Sequence, residues 1–305
     1  MSKMLVTGGL GAIGSFLVPE LKKRGHDVWF CDLSQYHDPN YIRCDISHFR
    51  QLEKIFEAHA FDYVYNLAAE FGRWNGEDYY ENLWMTNAVG MKNVLRLQEK
   101  HGFRLIHTSS SEVYGDYEGI MSEDVMDKHE IRQMNDYAIT KWVNEMQIMN
   151  SAQMFGTKSV RVRLFNTYGP GEKYSSYRSV ICLFVYRALH DIPYTVYLDH
   201  HRTSTYKTDM VTTLSNISGN FKAGEVYNIG GTDYHEIKTC SDLILKYLKK
   251  DDSFVAYKKS EAFTTKDKKV DVNKAVRDLK HNPKVTLEEG IPLTIEWMKK
   301  EYNIV

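Results

Sequence analysis

The chain has 305 residues, 43% of them hydrophobic and 26% charged, with 39 Lys and Arg almost balancing 40 Asp and Glu. That length can bury a large core, either as one α/β domain or as one with a smaller lobe, and the near-neutral balance offers no bulk attraction for nucleic acid or a membrane surface. The four cysteines are scattered without a C-x-x-C pattern, so they read as reduced packing residues and no metal set is implied. No apolar run reaches the roughly 18 residues of a membrane span. A chain that starts directly on a strand predicts no signal peptide and a cytoplasmic protein.

In chain order, Met4-Leu5-Val6 predicts a short buried strand. It breaks into Gly8-Gly9-Leu10-Gly11-Ala12-Ile13-Gly14, after which Ile13, Phe16, Leu17 and Leu21 recur at helical spacing. Strand, glycine turn and helix in that order suit a bound pyrophosphate. The first glycines permit the tight turn, Gly11 lets backbone approach phosphate, and Gly14 lets helix and strand pack closely. A second strand over 28–31 ends at Asp32, roughly 20 residues past Gly11, where a carboxylate would accept from an adenosine ribose hydroxyl. The same charge repels a 2′-phosphate, so NAD is expected rather than NADP.

Further strands at 41–43, 63–67, 105–107 and 160–164 alternate with helices at 48–59, 79–101 and 136–155. This alternation predicts an α/β fold with a doubly wound parallel sheet. From Asn166 the regularity fails, at the turn Gly169-Pro170-Gly171. An NAD-binding domain is expected over 1–167 and a smaller, mainly substrate-binding lobe over 168–305, with part of 206–232 returning to the first domain. Their shared cleft should lie at the carboxyl ends of the strands.

Tyr137 and Lys141 stand four apart on one helix face. An ammonium beside a phenol favours the phenolate, lowering its pKa from about 10 towards neutrality. Tyr137 then becomes a usable general base for a sugar hydroxyl, and Ser110, at a strand end, is placed to bond the same oxygen.

Taken together, these motifs resemble an extended short-chain dehydrogenase/reductase of the NAD-dependent nucleotide-sugar epimerase/dehydratase family. The resemblance spans essentially the whole chain. It is carried by 7–15 (TGGLGAIGS), Asp32, Cys44-Asp45, Asn66-Leu67-Ala68-Ala69, 110–115 (SSEVYG), Tyr137 with Lys141, 163–170 (RLFNTYGP) and 227–231 (YNIGG). The resemblance implies a Rossmann fold and transient oxidation of a sugar carbon, usually C4, by NAD. It implies NAD contacts from Gly8, Gly11, Ala12, Ile13, Gly14, Asp32, Ile46, Leu67, Ala68 and Ala69. Asp45 would meet the adenine, Asn87 would steady the loop beneath the nicotinamide, and Tyr137 and Lys141 would complete the set. A nucleoside-diphosphate sugar would be bound by Glu70, Arg73, Ser110, Asn166, Arg178 and Arg202. The resemblance adds Lys269 to these, although 266–269 (KDKK) also reads as a solvated charge run.

Within this family, Glu112, two residues after Ser110, is similar to dehydratases and decarboxylases rather than epimerases. Ser110, Ser111, Glu112, Tyr137 and Lys141 are therefore the expected catalytic set, with Glu112 removing the C5 proton in a 4,6-dehydration. The alternatives are C4 epimerisation, UDP-glucuronate-type decarboxylation and, from another class, a non-catalytic NAD-binding sensor. The loop 71–76 (FGRWNG) matches no family pattern and should border the sugar. Leu83, Trp84, Met91, Trp142, Met146 and Met149 predict a homodimer through a four-helix interface.

Overall fold

The computed structural model describes residues 1–304. Seven strands form the central sheet in the spatial order Val226–Ile229, Ser159–Leu164, Arg104–Ser110, Tyr63–Asn66, Lys3–Thr7, Asp27–Asp32 and Tyr41–Arg43. Every pairing is parallel. Strand order reverses beside Lys3–Thr7, which leaves a crevice at the carboxyl ends of the strands where a ligand can enter.

Successive side chains on a strand point to opposite faces. Met4 and Val6 therefore join one hydrophobic cluster, while Leu5 joins the other. Both faces are covered, which is why these strands read as unbroken apolar runs. One layer contains the helices Gly14–Lys23 and Lys207–Asn216, through Leu17, Leu21, Met210 and Leu214. The other contains Phe49–Ala58 and Gly90–His101, through Leu52, Ile55, Met91 and Leu95. Full burial of each such side chain contributes roughly 1.5–3 kcal/mol.

The helix Asp136–Phe155 carries Tyr137 and Lys141. Its start is fixed by Asn135, whose Oδ1 accepts from the Ala138 backbone N at 2.8 Å, and its end by Gly156 at φ +67°. Such a side-chain cap is worth about 1 kcal/mol. The predicted helix 79–101 is three pieces: α-helical Tyr80–Trp84, π-helical Met85–Val89 and α-helical Gly90–His101. A widened turn of this kind re-aims side chains, and here Asn87 points inward. Residues 71–76 are not wholly a loop, because Arg73–Asp78 is a short helix.

The remaining chain packs the helices Val180–Leu189, Ile237–Leu248 and Leu287–Glu301 around a third cluster. A four-stranded sheet, ordered Tyr234–Glu236, His201–Thr203, Asp267–Val270 and Ile120–Met121, brings Arg202 to the crevice. Two residues expected at a subunit interface belong to the monomer instead: Leu83 and Met91 are fully buried, whereas Met146 and Met149 are exposed. Among the described residues no helix is long and apolar enough to cross a membrane.

Candidate active site

The cleft at the strand ends has a volume of about 640 Å³ and is lined from both parts of the chain. Its first end is made of backbone. Gly8 adopts φ +70°, and an added Cβ would lie 2.8 Å from the Ala68 backbone N. At Gly14 a Cβ would lie 2.2 Å from the Gly8 carbonyl oxygen, so helix and strand meet only because the side chain is missing. Gly11 differs. A Cβ there meets only the Gly8 oxygen, at 3.2 Å, leaving bare backbone towards the cleft at a helix start, as a pyrophosphate requires.

Asp32 accepts from the Leu10 backbone N at 3.0 Å and from the Leu33 backbone N at 2.8 Å, through different oxygens. Each oxygen keeps capacity for another bond. Ala12, Ile13, Ile46, Leu67, Ala68 and Ala69 also line the cleft, with Asp45. Burial opposes ionisation of Asp45, but hydrogen bonds from Ser47 and the neighbouring His48 outweigh it and lower its pKa. These residues fit a dinucleotide. Asn87 does not itself line the cleft but takes the loop-supporting place expected of it. Its amide accepts from the Glu70 backbone N at 2.9 Å and donates to the Glu70 carbonyl at 3.1 Å, so it shapes the loop from behind.

Ser110, Ser111, Glu112, Tyr137 and Lys141 all face the cleft. The Ser110 hydroxyl accepts from the Glu112 backbone N at 3.2 Å. Lys141 donates to the Thr108 carbonyl at 3.0 Å and lies 5.8 Å from the centre of the Tyr137 ring. The expected lowering of the phenol pKa is not what the structure gives. Burial pushes Tyr137 up to about 12, and contact with Ser110 only partly offsets it. Burial also brings Lys141 down to about 8, although Glu145, one turn further along the helix, opposes that.

Glu145 was not singled out from the sequence. It is fully buried and receives Arg163 Nε at 3.0 Å and Nη2 at 2.9 Å, with the Ser109 hydroxyl donating at 2.6 Å. This arrangement ties the strand end that carries Ser110 to the helix that carries Tyr137. Its only signal was a glutamate on the Tyr137–Lys141 helix, four residues beyond Lys141.

At the opposite end the cleft is charged. Burial would raise Glu112, but Lys268, then Arg73 and Arg202, hold it down to about 2. Lys268 pairs directly with the Glu112 carboxylate. Lys269 is a correction. On the strand Asp267–Val270 neighbours face opposite ways, so Lys268 points in, and Lys269 is exposed with its ammonium 5.5 Å from the Tyr234 ring centre. Strand alternation was the available signal. Arg202 donates to the His201 carbonyl at 2.8 Å, the Lys266 carbonyl at 2.7 Å and the Thr264 hydroxyl at 3.2 Å.

Arg73 donates to Glu261 Oε1 at 2.9 Å, while Trp74 packs edge-on against Phe263 at 5.1 Å. Glu70 accepts from the Asn75 amide at 3.2 Å. Asn166, at φ +34°, donates to the Thr203 carbonyl at 3.0 Å. Arg178 lies 3.8 Å from the Phe71 ring centre, and its Nε has no partner among the described residues. All of these substrate candidates except Lys269 line the cleft, together with Lys207 and Glu261, which sequence reasoning missed.

Comparison with known proteins agrees with this arrangement. Residues 4–230 match the model of the NAD dependent epimerase/dehydratase family. A UDP-N-acetyl-α-D-glucosaminuronate decarboxylase of Bacillus cytotoxicus is 30% identical, covering 99% of each chain. A dTDP-glucose 4,6-dehydratase of Salmonella typhimurium is 26% identical over 97% of this chain and 92% of its own. Among solved structures, a UDP-glucose 4-epimerase of Thermotoga maritima with UDP-glucose superposes with a TM-score of 0.89. It is 27% identical and covers 98% of this chain and 99% of its own.

Proposed function

Because this chain belongs to the NAD dependent epimerase/dehydratase family, we propose that it decarboxylates a nucleoside-diphosphate hexuronate after oxidising the sugar at C4. NAD, when bound, supplies the acceptor for the C4 hydrogen and a positive ring beside Tyr137. Tyr137 takes the 4-hydroxyl proton, Ser110 bonds the same oxygen, and Lys141 keeps positive charge beneath the phenol. Once C4 is a ketone, a carboxylate on C5 is β to it. The C5–C6 bonding pair then moves towards the C4 oxygen as CO2 leaves, C5 takes a proton, and the C4 ketone regains the hydrogen it gave up as Tyr137 returns its proton to the oxygen, so the cycle is redox-neutral.

The observation that carries this reading is the ion pair between Glu112 and Lys268, with Arg73 and Arg202 further lowering the Glu112 pKa. A carboxylate engaged by a cation in this way is a poor acceptor for the C5 proton. Decarboxylation needs no such base, whereas dehydration does. The Bacillus cytotoxicus relative, a decarboxylase of a UDP-hexuronate, supports the same choice. The second reading is 4,6-dehydration, favoured by the presence of Glu112 in the cleft two residues past Ser110.

The test is release of labelled CO2 from UDP-glucuronate, or its 2-acetamido analogue, labelled at C6. Turnover of UDP-glucose to a 4-keto-6-deoxy product, with no CO2 from either hexuronate, would replace the first reading with the second. We also propose a homodimer that covers Met85, Val89, Met146 and Met149, all exposed in the monomer. A sedimenting species of 35.5 kDa alone at micromolar concentration would refute it.

A further inference from the structure

Three cations act on Glu112, Lys268 and Arg202 buried and Arg73 partly so, and each is held differently. Lys268 is paired with Glu112 itself. Arg202 is held by two carbonyls and a hydroxyl, and among the described residues no carboxylate lies within ion-pair distance of it. Arg73 comes from the short helix Arg73–Asp78 and donates to Glu261 Oε1 at 2.9 Å and to the Ala262 carbonyl at 3.4 Å. Three positive charges thus face two carboxylates, Glu112 and Glu261. The other acids nearby are engaged elsewhere: Glu70 accepts from Asn75, and Asp267 accepts from Tyr234 and lies 3.1 Å from His201.

Arg73 is also held firmly. Trp74 packs on Phe263, the Asn135 amide donates to the Phe263 carbonyl at 3.0 Å, and Tyr177 donates to Asp78 at 2.8 Å. The short helix is therefore fastened to the segments on both sides of it. A guanidinium has five N–H donors in a planar fork, and Glu261 with Ala262 uses two of them. Arg73 lines the same cleft as Ser110 and Glu112, so its remaining donors are open to a sugar held there.

We propose that Arg73 is the residue that recognises a carboxylate on C5 of the sugar, and that Glu261 is its resident counter-ion, restraining that affinity. The inference rests on the hexuronate reading above and assigns its specificity to one side chain. Its signs follow from charge: removing the acid strengthens binding of an anionic sugar, and removing the base weakens it.

The test is equilibrium binding by calorimetry to NAD-loaded protein, in a Tyr137→Phe background that suppresses turnover. The probes are UDP-glucuronate, UDP-glucose and UDP. The Arg73-intact protein is expected to bind UDP-glucuronate more tightly than UDP-glucose. Arg73→Gln should reduce that preference about 10- to 100-fold, the worth of a charge-assisted hydrogen bond, and leave UDP unchanged. Arg73→Lys should restore part of it, and Glu261→Gln should raise it several-fold. No preference for the hexuronate, or a preference untouched by Arg73→Gln in protein with an unchanged melting temperature, overturns the proposal. Equal weakening of UDP overturns it too, by assigning Arg73 to the diphosphate. Arg73-dependent selectivity without CO2 release from the Tyr137 enzyme leaves the inference standing and removes decarboxylation. CO2 release with selectivity indifferent to Arg73 does the reverse.

Discussion

At one end of the cleft, Gly8, Gly11, Gly14 and Asp32 come from a single strand-turn-helix-strand unit. At the other, Arg73, Glu112, Arg202, Glu261 and Lys268 arrive from five separate segments. The first end works through backbone: glycines at 8 and 14 allow contacts that any Cβ would block. The second works through charge, and each ionisable group there is set by the others. Backbone geometry tolerates changes of charge, whereas a buried ionic cluster responds to the loss of any one member. Substitutions at the two ends should therefore fail in different ways.

The largest expected effect lies between the ends. Tyr137→Phe removes the proton acceptor for the 4-hydroxyl, and general acid–base groups contribute about 10²–10⁴-fold. CO2 release should fall by that factor while NAD still binds, and residual turnover within tenfold of the unsubstituted enzyme would take Tyr137 out of the chemistry. Next in size is Glu145→Gln, which leaves Arg163 buried without its counter-charge. Breaking such a pair costs about 3–5 kcal/mol. Thermal unfolding should report that loss, and an unchanged melting temperature would mean that the tie between the Ser110 strand and the Tyr137 helix is dispensable.

Asp32→Ala probes the backbone end. Loss of a charge-assisted bond costs about 1.5–3 kcal/mol, roughly ten- to a hundredfold in NAD affinity. NADP should suffer less, since the repelling carboxylate is gone. Equal losses for both dinucleotides would remove Asp32 from the choice of cofactor.

A pH-dependent effect sharpens the charged end. Glu112 is lowered in the fold from 4.5 to about 2, so its ionised form contributes stability above the unfolded value that is lost as pH falls through the folded one. The stability difference between wild type and Glu112→Gln should be full above about pH 4.5 and close as pH approaches about 2. A difference independent of pH over that window would mean that the surrounding cations do not hold the carboxylate ionised.

The contrast also separates what was legible in the chain from what was not. The strand–helix alternation, the glycine turn, Asp32 and the spacing of Tyr137 and Lys141 follow from local pattern: a period of two or 3.6, a missing Cβ, an i,i+4 pair. Lys269 marks where that reading failed, while Asn87 supports the loop as expected. Asn87 sits in a π-helical turn that redirects it to the Glu70 backbone. Lys269 lies on a strand whose facing depends on the sheet it joins, and that sheet gave the inward place to Lys268.

The sequence by itself determined the fold class, the glycine turn and the pairing of Tyr137 with Lys141, because each is specified by residues close together in the chain or by one helix face. Only the tertiary structure decided the electrostatics. Burial, not Lys141, dominates Tyr137, and a lysine and two arginines from distant segments turn Glu112 from a candidate base into a fixed anion. A pKa depends on how far a group is withdrawn from water and which charges are brought against it. Neither quantity exists until the chain has folded.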